Sequence, residues 1–297
     1  MSASASSPRF DIPPESGFVE IADRCWVARY DFLDVNVGVV GGDRGLVVVD
    51  THASEADARR VLESLRRLGQ GEVVAIVNTH EHFDHVLGNA VFTEEYAGAD
   101  LIAHEAAADR MPEAVARVKQ LYVDDPDDPH GPDVRSSRVV VPDRTFSSAK
   151  VVDLGDRIVE VAHLGRGHTG GDAVVRVADT DVLYAGDLVE ESGVPSFGAD
   201  CFPLEWPGTL DLMIGMLGGS SLVVPGHGLP VDKDFVMHQR ASIGAVAEGI
   251  RDLAGRGVAV KDMARETSWP YPAEDLQQAF LRGAAQLPRG ARSLPLL

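Results

Sequence analysis

Three of the ten histidines fall within six residues, in His80-Glu81-His82-Phe83-Asp84-His85. Imidazole and carboxylate are the side chains that hold zinc and similar first-row metals. The stretch follows an apolar run at 72–77 that reads as a short buried strand. If it stays extended, alternate residues face one way, so His80, His82 and Asp84 converge on one ion while His85 turns toward a second. Such a motif supplies at most four ligands, and two ions need more. Each further candidate also follows an apolar strand: His168 in a Gly-rich turn (165–172), Asp187 at the end of 182–187, and His227 at the end of 222–227. Taken alone, a Gly-His turn is often only a turn and Gly-Asp only a cap. Their density and order together favour a metal site, with glycines letting backbone pass close to it.

These residues need strand ends that meet at loops. The alternation of apolar and polar residues places strands over 18–29, 35–40 and 46–50, with 41–45 as a hairpin turn. An amphipathic helix spans 54–68, with Ser54 as its cap and Gly69 as its stop. A helix over 88–97, a strand over 100–103 and a helix over 105–121 follow. Residues 124–132, rich in Asp and Pro, read as a loop insertion. A second set of strands lies at 138–141, 150–154, 158–163, 173–178 and 182–185. Then come a helix at 204–217, a strand at 221–224, a long helix at 235–256 and a mostly helical remainder. Two successive groups of strands, each followed by helices, suggest two sheets packed face to face with helices outside.

The chain of 297 residues carries 27 Lys+Arg against 46 Asp+Glu, a formal net charge of −19. A field of that sign repels phosphate backbones and anionic lipid, so neither a nucleic-acid nor a membrane partner is expected. No apolar run is long enough to span a bilayer. Residues 1–14 are Ser/Ala/Pro-rich without an apolar core, which reads as a disordered tail rather than a signal peptide. Two distant cysteines, Cys25 and Cys201, give no disulfide framework. The expectation is a cytoplasmic protein with a small-molecule substrate, and a homodimer as the default assembly.

In order, the Asp50 segment, His-x-His-x-Asp-His, the Gly-x-x-His turn, Gly-Asp and Gly-His-Gly resemble the metallo-β-lactamase-fold superfamily across residues 18–229. That resemblance implies an α/β protein with an αββα four-layer sandwich. Its domains would be a tail at 1–15, the fold at 16–230 and C-terminal helices at 231–297 packed on it. It further implies a first metal on His80, His82 and His168, a second on Asp84, His85 and His227, Asp187 bridging both, and Asp50 orienting ligands by hydrogen bonds. Two Zn2+ are the default, with iron or manganese as alternatives. Leu87 stands where many relatives have glycine. The β-lactamases of classes B1 and B2 have cysteine where this chain has Asp187, and Cys201 comes too late to replace it. The pattern is therefore closer to the glyoxalase II-like dinuclear branch.

Two ions about 3.5–4 Å apart can share a hydroxide at neutral pH. The expected chemistry is hydrolysis of an ester, thioester, lactone or related bond, with Asp84 and Asp187 as the catalytic carboxylates. The competing readings are an iron-dependent dioxygenase-type enzyme of the same fold and a non-catalytic metal-binding protein. Specificity is expected from 201–207, 124–132 and the C-terminal helices. Phe197, Phe202 and Trp206 either wall the pocket or pack a helix. Of the other histidines, His52 is left between the site and a loop role, His104 and His163 are structural, and His130 and His238 are solvated.

Overall fold

The computed structural model describes residues 11–288. Its first sheet has seven strands in sequence order: β1 (Val19–Ala22), β2 (Cys25–Arg29), β3 (Asn36–Gly42), β4 (Gly45–Val49), β5 (Val73–Val77), β6 (Asp100–His104) and β7 (Arg144–Phe146). The second sheet is formed by β8 (Ala149–Asp153), β9 (Ile158–Ala162), β10 (Val174–Val177), β11 (Val182–Glu190) and β12 (Leu222–His227), and its spatial order is the reverse of the chain order. The helices are α1 (Glu55–Leu68), α2 (Phe83–Val86), α3 (Asn89–Glu95), α4 (Glu105–Asp124), α5 (Gly131–Ser136), α6 (Trp206–Gly215), α7 (Lys233–Gly255), α8 (Met263–Glu266) and α9 (Gln277–Gln286).

Three apolar clusters make this a four-layer αββα sandwich. Between the sheets, Val27, Val47 and Val77 meet Val159, Val175 and Tyr184. On the outer face of the first sheet, α1 buries Ala58, Val61, Leu62 and Leu65 against Val37, Val48 and Ile76. That spacing is one helical stripe. Ser54 caps the helix by accepting from Asp57 N at 3.0 Å, and Gly69 ends it in the left-handed region. On the outer face of the second sheet, Leu183, Val223, Trp206 and Leu210 share one core with Ile243 and Ile250 of α7 and Phe280 of α9.

Several local expectations change. Gly42 pairs with Gly45, so the β3–β4 hairpin closes on Asp43-Arg44 alone. Residues 138–141 form no strand: Arg138 is held off by ion pairs to Glu55 and Glu94, and the edge of β6 is paired instead by β7. The acidic segment is partly helical, with Asp124 ending α4 and Pro132 inside α5. The tail reading stops short of residue 15: Ile12 lies in the inter-sheet core and Glu15 N donates to Arg29 O. Residues 1–10 of that tail lie outside the described residues. Strand β11 runs on past Ala185 through Asp187 to Glu190, its parallel pairing with β12 picked up again at Gly186 and at Glu190 after two register shifts. Among the described residues no helix is long and apolar enough to cross a membrane.

Candidate metal centre

Strand ends from both sheets open into one edge of the sandwich. β5 leads directly to His80, and α2 begins at Phe83, immediately after His82. β11 carries Asp187 and β12 ends at His227, their parallel pairing bringing the two together. A backbone bridge from Val35 to His227 ties the start of β3 to the same corner.

The seven side chains form two groups, each with its donor atoms within 4.8 Å of one another: His80, His82, His168 and Asp187, and beside them Asp84, His85 and His227. The convergence of Asp84 with His80 and His82 expected from an extended stretch does not occur. The alternation of side chains ends where the chain turns helical, and Asp84 swings to the second group. Asp187 lies between the groups. Its Oδ2 is 3.3 Å from His168 Nε2, 3.6 Å from His80 Nε2 and 3.3 Å from His227 Nε2, and its Oδ1 is 3.1 Å from His85 Nε2. Asp84 Oδ2 is 3.4 Å from His227 Nε2. His82 enters through Nδ1, 2.8 Å from His168 Nε2. Gly226 is required here, since a Cβ at that position would collide with Asp187 Oδ1.

The opposite ring nitrogens are held by the protein. His80 Nδ1 lies 3.0 Å from Thr79 Oγ1, His168 Nδ1 donates to Ser196 O at 3.0 Å and His227 Nδ1 donates to Leu33 O at 2.8 Å. Asp50 lies at a positive φ of 63° just after β4. It accepts from Thr79 N and Thr79 Oγ1, each at 2.8 Å, and its Oδ2 is 2.9 Å from His85 Nδ1. Fixing one nitrogen leaves the other directed inward. His80 Nε2 is then buried without a hydrogen-bond partner. An orphaned ring nitrogen among facing imidazoles and carboxylates is what a cation would satisfy, so the donor set fits metal.

Burial holds His80 and His168 below the ordinary histidine range. It opposes the charge on His85 and His227 too, but the carboxylates of Asp187 and Asp84 outweigh it, placing His85 well above that range and His227 up at about 10. Burial also opposes the charge on Asp187, yet His227 and His85 keep it well below the usual carboxylate range.

Asp200 had no signal in the sequence. Its Oδ2 is 3.3 Å from His82 Nε2 and accepts from Arg117 at 2.7 Å. It comes 118 positions after His82, in a loop without a motif, and only folding joins them. The remaining histidines are settled by contact. His52 is buried, with Nδ1 accepting from Ala53 N, and it belongs to neither group. His104 caps α4 by accepting from Ala106 N, and it stacks on His163 at 4.0 Å. His130 is not simply solvated, since it stacks on Phe32 at 3.6 Å. His238 is exposed.

A cavity of ≈ 500 Å³ opens over the groups. Leu33, Phe83, Val118 and Leu121 give it an apolar wall, and Ser192 and Ser196 face it from the loop after β11. The expected specificity segments 124–132 and 201–207 do not line it. Trp206 is buried with its indole N–H on Leu188 O, and Phe197 packs against it at 5.3 Å, so these aromatics pack a helix.

Residues 30–235 match the family described as the metallo-beta-lactamase superfamily. The chain belongs to that superfamily. A metallo-beta-lactamase type 2 of Bacillus cereus is 27% identical over 202 residues, 67% of this chain and 69% of that protein. A hydroxyacylglutathione hydrolase of a Synechococcus strain is 28% identical over 162 residues, 54% of this chain and 49% of that one. The structure of a stereoselective inverting sec-alkylsulfatase from Pseudomonas sp. superposes with a TM-score of 0.73 at 16% identity, over 91% of this chain. The chain spans 50% of the alkylsulfatase's length, and that likeness concerns the fold. As a member of the metallo-beta-lactamase superfamily, the chain is a metal-dependent hydrolase. Leu87, where many members have glycine, is fully buried with Val86, Met111 and Val115, so its side chain is core packing. Cys201 is buried in the core under α7 and has no place in either group.

Proposed function

We propose that this protein is a dinuclear hydrolase, with zinc as the resident ion, that cleaves an ester, thioester, lactone or related bond in a small molecule. The observation that carries this reading is Asp187, one carboxylate between two sets of inward-facing imidazoles. His80, His82 and His168 would hold one ion, Asp84, His85 and His227 the other, with Asp187 shared. Ions bound there would lower the pKa of a coordinated water and polarise the substrate's reacting oxygen. The protein's own part is positional. Asp50 and Thr79 keep His85 and His80 turned inward, and Asp84 presents a carboxylate that can take up and return a proton. Leu33, Phe83, Val118 and Leu121 offer an apolar wall on one side, and a cavity of ≈ 500 Å³ suits a small molecule. A carboxylate at 187 in place of cysteine supports the thioesterase and lactonase side of the superfamily over β-lactam cleavage.

The test is turnover by zinc-loaded protein of a thioester, an acyl lactone, a β-lactam and a phosphodiester. Hydrolysis of the thioester or lactone, lost in Asp187→Ala, is expected. A metal-replete protein silent on the whole panel would shift the reading to iron-dependent redox chemistry or to metal binding without turnover.

A further inference from the structure

A second cavity of ≈ 320 Å³ adjoins the first, and the two share Arg117, Ala199 and Asp200. Its other polar walls are Glu81, Arg110, Glu113 and Arg282. The sequence shows no basic cluster here, because Arg110 and Arg117 lie two turns apart on one face of α4 while Arg282 arrives on α9. The charged lining balances, three guanidinium groups facing the carboxylates of Glu81, Glu113 and Asp200, in a chain of net charge −19.

Their partners differ. Arg117 is committed to Asp200 Oδ2 at 2.7 Å. Arg282 donates through Nε to Cys201 O at 3.1 Å, and its guanidinium lies 5.4 Å from the Phe202 ring centroid. Arg110 lies 6.0 Å from the same centroid. Among the described residues neither Arg110 nor Arg282 is in an ion pair. Arg166, paired with Glu205, lies over the same ring at 4.3 Å, so Phe202 spaces Arg110 and Arg282 without neutralising them. The independent observation is Glu81. It is fully buried at the wall of this cavity, and neither carboxylate oxygen has a hydrogen-bond partner. A sealed carboxylate without donors is costly unless a ligand or water supplies them.

We propose that this side cavity is a recognition subsite for the non-reacting end of the substrate, binding a carboxylate through Arg110 and Arg282 and an adjacent ammonium or amide N–H through Glu81. The ligand class is an amino-acid-like group, one anion beside one nitrogen donor. Its assignment as part of a substrate rests on the hydrolase reading, whereas its binding does not. Arg110 and Arg282 give affinity for the anion, and Glu81 gives preference for the nitrogen. This subsite places a specificity element on α9, within the C-terminal helices.

The experiment is calorimetric titration of the zinc-loaded full chain with L-glutamate and with glutarate, which matches its two carboxylates but lacks the nitrogen. L-Glutamate is expected to bind more tightly than glutarate. Arg110→Glu is expected to weaken both by about tenfold or more, and more strongly at low salt. Glu81→Gln is expected to remove the preference for L-glutamate, with zinc content measured alongside because residue 81 lies between His80 and His82. In parallel, the kcat/KM ratio of monophenyl glutarate to phenyl acetate is expected to fall about tenfold in Arg110→Glu. Equal affinity in wild type and Arg110→Glu, or no binding of either compound, would overturn the subsite. Binding that depends on Arg110, with neither ester turned over, would uphold the subsite and remove its assignment to an ester substrate instead.

Discussion

The two halves of the metal centre are built differently, and the difference lies in what surrounds the imidazoles. His80, His82 and His168 meet one shared carboxylate, Asp187, and burial dominates at His80 and His168. His85 and His227 face Asp187 and also Asp84, and there the carboxylates dominate. Two imidazoles of the first half are thus kept uncharged while its third, His82, is raised against burial by Asp200, and the second half is a charge-rich pocket. Their supports differ in the same way. His85 is held by Asp50, a side chain with 4% exposure that also accepts twice from Thr79. His82 is held by Asp200, nearer the surface and itself tethered by the exposed Arg117. The contrast lies in one support of each half: His85 is fixed through Asp50 on the strand framework, and His82 through Asp200 on a loop and the α4 surface.

Removing what the halves share should cost most. Asp187→Ala is expected to lower turnover by about a thousandfold or more, measured on any substrate the wild type hydrolyses. Activity within tenfold of wild type would dissolve the link between the halves. Gly226→Ala should approach that loss without changing a donor, because its new methyl group displaces Asp187. Next come the supports. Asp50→Asn, which tolerates the positive φ, should weaken zinc binding at the second group by about 10–100-fold. Asp200→Asn should weaken the first group by about tenfold, the smaller effect following from its looser anchorage. Competition with a chromogenic chelator would rank the two, and the reverse order would contradict the comparison.

A separate test, on stability instead of metal binding, concerns a residue outside both halves. Burial holds His52 down at about 4, against an ordinary value of 6.5. A histidine whose folded pKa is depressed contributes stability in full above pH 6.5 and loses it as pH falls toward 4, because the unfolded chain takes up the proton first. The contribution is on the order of 3 kcal/mol. Denaturant midpoints of wild type and His52→Asn should therefore converge between pH 6.5 and 4, and parallel curves would show that His52 is not the titrating group.

The seven clustered side chains were visible in the sequence because four fall in one dense run after an apolar strand and the other three follow apolar strands among glycines, signals that survive without tertiary information. The αββα layering followed from the two successive sets of strands. The regrouping of Asp84 was not legible from spacing alone, since nothing at His82 marks a helix start: its side chain makes no capping hydrogen bond. Asp200, Arg110 and Arg282 were hidden for a different reason. Each gains its role from a neighbour far along the chain, and a lone surface-type residue carries no periodic trace of that. The strand expected at 138–141 failed because ion pairs, which alternation does not encode, hold that segment off the sheet edge.

The most direct test of a shared two-ion centre is turnover followed as zinc is added back to metal-free protein. Activity is predicted to climb until two equivalents per chain are bound and to stay flat in Asp187→Ala. Full activity at one equivalent, with the second adding nothing, would contradict the account.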